Sequence, residues 1–176
     1  SPAEFAKGHA TGAISIPLFS DQERADIGTI YKKKGRQEAM AQALSITEPK
    51  RENMLEQVLE IAHDTTNEIL VHCWRGGMRS GKFAEFLSEN GIGVKLLTGG
   101  YKAYRSSIHD SLLLPWKLII LGGMTGTGKT EILSELKRKG LQVVCLESIA
   151  SHRGSAFGRL GQNGQPTTEQ FQNNLW

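Results

Sequence analysis

The run Gly123-Met124-Thr125-Gly126-Thr127-Gly128-Lys129-Thr130 constrains this 176-residue chain more than any other feature. It fits G-x-x-x-x-G-K-[ST] and stands between an apolar stretch and an amphipathic one, the setting that a phosphate-binding loop needs. Each residue type has a physical task there. Glycines let backbone N–H groups converge on phosphate oxygens, and the N-terminus of the following helix adds a favourable dipole. Lys129 is placed to neutralise terminal phosphates, and the Thr130 hydroxyl to hold Mg²⁺. The motif therefore predicts a strand at Leu118-Ile119-Ile120-Leu121, the loop, and a helix over roughly Lys129 to Lys139 with Gly140 as its stop. Leu141-Gln142-Val143-Val144-Cys145-Leu146 reads as the next strand. No acidic strand of the kind that completes a hydrolytic site is identifiable, so the motif supports phosphate binding and leaves hydrolysis or phosphoryl transfer unsupported.

A second pattern precedes the first. Glu68-Ile69-Leu70-Val71-His72 is a short β-prone run ending at Cys73 in a glycine-containing turn. Helical spacing of Phe83, Ala84, Phe86 and Leu87 predicts a helix after that turn, stopped by Gly91. Val94-Lys95-Leu96-Leu97 follows as a further strand, closed by Thr98-Gly99-Gly100. Met54, Leu55, Val58, Leu59, Ile61 and Ala62 predict an amphipathic helix upstream. This alternation argues an α/β layer fold with a mostly parallel sheet. Pro115 marks the boundary at which the pattern restarts, giving a domain over residues 1–114 and the start of a second over 115–176.

His72-Cys73-Trp74-Arg75-Gly76-Gly77-Met78-Arg79-Ser80 places a thiol at a strand end, ahead of a helix and close to two arginines. Loop N–H groups, the helix dipole and guanidinium charge each lower a thiol pKa, so Cys73 is the candidate nucleophile, with Trp74, Arg75, Gly76, Gly77, Met78 and Arg79 as its anion loop. The bland alternative is a buried structural cysteine with both arginines on the surface. The other cysteine, Cys145, has no positive cluster beside it in sequence.

Composition excludes some classes. Hydrophobic residues make up 39% of the chain, enough for packed cores. No run of about 18 apolar residues occurs, and no signal-peptide pattern, so no membrane partner is expected and the expected address is cytoplasmic, with both cysteines as thiols. The chain starts at Ser1-Pro2 without Met and stops within polar, helix-like sequence, and so reads as a fragment at both ends. Its net charge is +3, and the excess of basic over acidic residues lies wholly beyond residue 115. That is compatible with anionic ligands such as nucleotide or tRNA without demanding them. Lys32-Lys33-Lys34-Gly35-Arg36 is a denser patch, either a solvated turn or an RNA contact. Oligomeric state is not legible.

Ser1-Pro2-Ala3-Glu4-Phe5, Gly8-His9, Gly12-Ala13-Ile14-Ser15-Ile16-Pro17, the Cys73 loop and Leu97-Thr98-Gly99-Gly100-Tyr101-Lys102-Ala103-Tyr104 together resemble a rhodanese domain. Such domains carry sulfur or selenium on the cysteine. Cys-Trp-Arg-Gly-Gly-Met-Arg-Ser, followed by the phosphate loop and then by His152-Arg153-Gly154-Ser155-Ala156-Phe157-Gly158, resembles the bacterial tRNA 2-selenouridine synthase family over nearly the whole chain. The resemblance implies a transferase that replaces the sulfur of wobble 2-thiouridine in tRNA with selenium from selenophosphate, through an S-geranyl intermediate made with geranyl diphosphate. It implies that Cys73 is the rhodanese cysteine. It also implies that Gly123 to Thr130 hold the phosphates of a nucleotide or of the prenyl diphosphate. From the residues themselves, His152 and Arg153 are either a contact to an acceptor phosphate or the tRNA backbone, or a surface pair with no such role. Trp74 either lines a path for the prenyl chain or packs at the loop. Cys145 stands where the family pattern leads one to expect Asp, and Ala10-Thr11 stand in place of Ile-Pro.

Two other readings remain open from the residues. Cys73 and Arg79 form Cys-x₅-Arg, which is also the signature of cysteine-dependent phosphatases, including those built on a rhodanese-like fold. Such an enzyme needs a general acid for its leaving group, and the sequence alone does not assign one. The remaining alternative is a rhodanese sulfurtransferase or binding module fused to a P-loop kinase.

Overall fold

Period-two alternation turns the apolar run after residue 68 into strand β1 (Ile69–Val71), with Val71 buried and Leu70 outward. Its partner β2 (Val94–Leu96) runs parallel, with Ile69 opposite Val94 and Val71 opposite Leu96. A parallel pair requires a crossover. Helix α5 (Met78–Glu89) supplies it, burying Ser80, Ala84 and Leu87 along one stripe. Gly91, at φ +77°, ends that helix, and Ile92 N–H closes back on the Leu87 carbonyl at 3.1 Å. Val58, Val71 and Leu87 form the core, with Ile16, Leu55, Phe83, Phe86 and Ile92 packed around them.

This computed structural model describes residues 1–176 except 63–67, 125, 155, 156 and 163. The chain divides into two compact units, Ser1–Ser107 and Ile108–Trp176. Before β1 the first unit carries α1 (Pro2–Lys7), α2 (Asp21–Lys34), α3 (Arg36–Thr47), a 3₁₀ turn (Glu48–Lys50) and α4 (Arg51–Ile61). Helix α4 is the amphipathic helix expected upstream, with Met54 and Val58 buried. Ser20 and Glu23 form a reciprocal capping box that starts α2. Lys32 to Lys34 occupy its last turn and Arg36 opens α3, so the basic patch sits at the α2–α3 corner with charge that suits a helix C-terminus. Helix α6 (Gly100–Leu112) follows β2, and the division between units falls within it.

The second unit holds α7 (Lys129–Arg138), α8 (Leu146–Ile149) and α9 (Thr168–Leu175). Gly140, at φ +82°, stops α7 as expected. The two strands expected here are corrected by the structure. Residues 118–121 and 141–145 join no strand ladder among the described residues: Leu141 N–H instead donates to the Leu136 carbonyl at 3.1 Å, and Leu146 begins α8. Strand identity lives in the hydrogen-bond ladder, so a β-prone run without a neighbour remains unpaired chain. Leu118, Ile119 and Ile120 accordingly stand exposed. The described sheet is the β1–β2 pair.

Candidate functional site

Cys73 lies two residues beyond the C-terminal end of β1, where the chain turns to enter α5. The turn is moored from behind by the start of α6: Tyr101 N–H donates to the Cys73 carbonyl at 2.9 Å and Lys102 N–H to that of Trp74 at 3.1 Å. Two glycines make the approach possible. A Cβ on Gly100, at φ +61°, would meet Gly76 N at 2.2 Å and the Cys73 carbonyl at 2.3 Å, and one on Gly76, at φ +62°, would meet Gly100 N at 2.5 Å.

The thiol feels opposing influences. Burial pushes its pKa up. Hydrogen bonding to the Ser80 hydroxyl, 3.2 Å from Sγ, and to the N–H groups of Ser80, Arg75 and Gly77 pulls it down and prevails. The loop thus forms an N–H cradle beneath a thiol biased toward thiolate. Burial pushes His72 down, a backbone contact to Cys73 partly opposes this, and the charge of His9 adds to the lowering, so the neighbouring imidazole is neutral at pH 7.

Arg79 occupies the first turn of α5, half-buried, and its guanidinium is held by Glu4 of α1. Nη1 and Nη2 donate to the two carboxylate oxygens at 2.5 and 3.1 Å. Burial raises Glu4, yet Arg79 outweighs it and keeps the carboxyl below the usual range; the desolvated Arg79 is in turn raised by Glu4 and by the Cys73 charge. Arg75, Gly76, Gly77 and Met78 are exposed, and half-buried Trp74 packs against Tyr101 with a ring separation of 5.1 Å and under the Lys7 ammonium at 5.3 Å. Cys73, Trp74, Arg79 and Ser80 open with Phe5 and His9 onto one cavity of about 330 Å³. Sequence reasoning missed Glu4, which is 75 positions from Arg79, and Ser80, whose signal was a hydroxyl in the first turn after the loop.

The second group of expected site residues lies in the other unit. Gly128, at φ +74°, caps α7 in the left-handed conformation that the loop requires. Lys129 turns its ammonium back onto its own loop, donating to the carbonyls of Gly123 at 2.9 Å and Met124 at 2.7 Å. Thr127 Oγ1 also donates to Met124, at 2.8 Å. Gly126, at φ +83°, shares the left-handed region, and Thr125 lies outside the described residues. Thr130 is exposed, and its hydroxyl offers one oxygen donor next to the loop; Mg²⁺ characteristically takes one or two protein oxygens and completes its shell with phosphate and water, so the residues fit the ion. His152 N–H donates to the Glu147 carbonyl at 3.0 Å, and Nδ1 of its ring accepts from Gly154 N–H at 3.0 Å, which folds the segment after α8 around the imidazole. Arg153 is exposed. Cys145 is the N-cap of α8 with no side-chain cap bond, where an Asp would supply one.

A thiol cradled by loop N–H groups at the end of a parallel strand, with the following helix crossing over to the neighbouring strand, is the architecture of a rhodanese-like domain. The profile described as "Rhodanese-like domain" matches residues 1–107, and the chain belongs to that family. The profile "tRNA 2-selenouridine synthase AAA domain" matches residues 116–176. The two together are the pairing of the tRNA 2-selenouridine synthases, to which the chain is similar over 99% of its length. Proteins of that name are 41% identical in Pseudomonas fluorescens Pf0-1, 36% in Nitrosomonas europaea and 38% in Sulfurovum sp. NBC37-1, with 47%, 46% and 48% of their own lengths covered. The chain therefore spans about half the length of the curated relatives it matches. Among solved structures it is similar to the N-terminal domain of a Clostridium difficile 630 protein named for ATP/GTP binding. The TM-score is 0.58 at 39% identity, over 60% of this chain and 81% of that one. No helix among the described residues is long and apolar enough to cross a membrane.

Proposed function

We propose that this chain provides the donor-handling thiol and the phosphate-binding loop of a tRNA 2-selenouridine synthase, which replaces the sulfur of wobble 2-thiouridine with selenium from selenophosphate. The observation that carries the reading is the lowered Cys73 thiol over an N–H cradle in a cavity, joined to the names of relatives aligned along almost the whole chain. In this reading the phosphate-type oxygens of selenophosphate dock on the loop N–H groups and the thiolate meets the donor. The group transfers balance without outside electrons. The geranyl group leaves diphosphate for the sulfur of the base, selenium displaces the geranylated sulfur as a thiolate, and water takes the phosphoryl group from selenium.

Gly123 to Thr130 hold the phosphates of a nucleotide or of geranyl diphosphate, with Lys129 exchanging its loop carbonyls for phosphate oxygens and Thr130 holding Mg²⁺. The ion, when bound, neutralises charge on the phosphates. His152 and Arg153 contact the acceptor. A phosphatase reading is weaker on one physical point. Glu4 is the carboxylate that lines the Cys73 cavity among the described residues, and Arg79 keeps it ionised, so it has no proton to give a leaving group at neutral pH. Cells whose only copy of the gene carries Cys73→Ser are expected to make tRNA without 2-selenouridine while the variant stays folded; normal 2-selenouridine in their tRNA would remove Cys73 from the reaction. Cys145→Ser is expected to leave the level unchanged.

A further inference from the structure

Arg79 closes the loop that begins at Cys73, the position from which a guanidinium fork can straddle a tetrahedral anion resting on the loop N–H groups. That fork is already engaged by both oxygens of Glu4. Glu4, Arg79, Cys73 and Ser80 line the same cavity. With side chains 22% and 30% exposed, the pair is shielded from the screening that empties surface ion pairs of value. An oxyanion entering the cradle must share Arg79 with a carboxylate or displace it, and the carboxylate repels the anion directly.

We propose that Glu4 tunes the Cys73 loop: by holding the Arg79 fork it lowers the affinity of the loop for phosphate-type oxyanions as a class, the donor's included. The proposal deepens the reading of the loop as an oxyanion cradle and rests on it. Glu4 acts through Arg79 and is a positioning residue. Its consequence for a phosphorus-containing donor is that the phosphate released on turnover does not stay on the loop.

Full chains carrying Cys145→Ser, so that one thiol reports, are compared as the parent, Glu4→Gln, Arg79→Gln and the double variant. Gln keeps the length of Glu and its capping geometry in α1. Inorganic phosphate is the probe, read as protection of Cys73 from alkylation by iodoacetamide, together with the pH profile of alkylation without phosphate. The remaining ionisable side chains of the cavity, His9, His72 and Tyr101, are common to all four proteins. Glu4→Gln is expected to be protected at about tenfold lower phosphate and to be alkylated at lower pH. Arg79→Gln is expected to lose protection, and the double variant to lose the gain, because Glu4 works through Arg79. Glu4→Asp, with its carboxylate drawn back by one methylene, is expected to fall between parent and Gln, and reports if Gln unfolds the chain. Equal protection and equal pH profiles in the parent and its Glu4 variants overturn the role of Glu4 and leave the cradle standing; a purely structural Glu4 would move the unfolding temperature alone. Absence of protection in every protein overturns cradle and proposal together.

Discussion

At the scale of single residues, the Cys73 thiol is a balance between burial and donated hydrogen bonds. Ser80 is the side chain that tips it: buried, 3.2 Å from Sγ, and also within 3.2 Å of the Gly77 carbonyl. Ser80→Ala removes one donor to the thiolate and leaves the backbone cradle in place. The alkylation midpoint is expected to move to higher pH, and the rate at pH 7 to fall by roughly threefold to tenfold; an unchanged profile would show that the backbone N–H groups alone set the thiol. The sign for stability follows from the same direction. A thiol lowered in the fold stabilises it above the ordinary thiol range, and this contribution is lost as pH falls through the lowered value. Glu4 behaves likewise in the carboxylate range: the contribution of its pair with Arg79 is lost as pH falls through its lowered value.

At the scale of elements, two glycine-containing loops that each precede a helix differ in what occupies them. The Cys73 loop is fixed from behind by α6, through the Gly76–Gly100 contact, and its donors point at its own thiol. The loop before α7 instead has the Lys129 ammonium resting on its carbonyls, an arrangement that a phosphate must replace. Lys129→Ala removes the charge that rewards this exchange, and the expected loss is about ten- to hundredfold in affinity. Calorimetric titration with a nucleotide and with geranyl diphosphate checks it and shows which ligand uses the loop. Equal binding by wild type and variant would leave the loop a structural turn before a helix. The element-level features with strong local causes were legible in sequence: α4 and α5 through their apolar spacing, α7 through Gly128 and Gly140. Helices α2 and α3 were not read, because their polar sequences carry little helical periodicity. The Ser20 to Glu23 box was the available signal.

At the scale of the whole molecule, the two units differ in how much apolar surface they cover. The first wraps Val58, Val71 and Leu87. In the second, the run Leu118 to Leu121 stays open, with Ile119 fully exposed and no ladder partner among the described residues. Such a run offers both apolar side chains and unpaired backbone groups. Ile119→Lys combined with Ile120→Lys is expected to lower dye binding by exposed apolar surface and to reduce self-association. The Cys73 alkylation rate is expected to stay unchanged. Dye fluorescence equal to wild type would mean that the run is covered in solution.

The sequence by itself determined the local features: where a thiol meets a glycine turn, where glycines and a lysine make a phosphate loop, and where apolar spacing makes helices. Those depend on neighbours a few positions apart, and steric and hydrogen-bonding rules at that range leave few options. Only the tertiary structure decided that Glu4 takes the fork of Arg79 and that Gly100 backs the cysteine loop. Each of these depends on which distant backbone arrives alongside. A carboxylate 75 positions away from its arginine leaves no mark in local spacing.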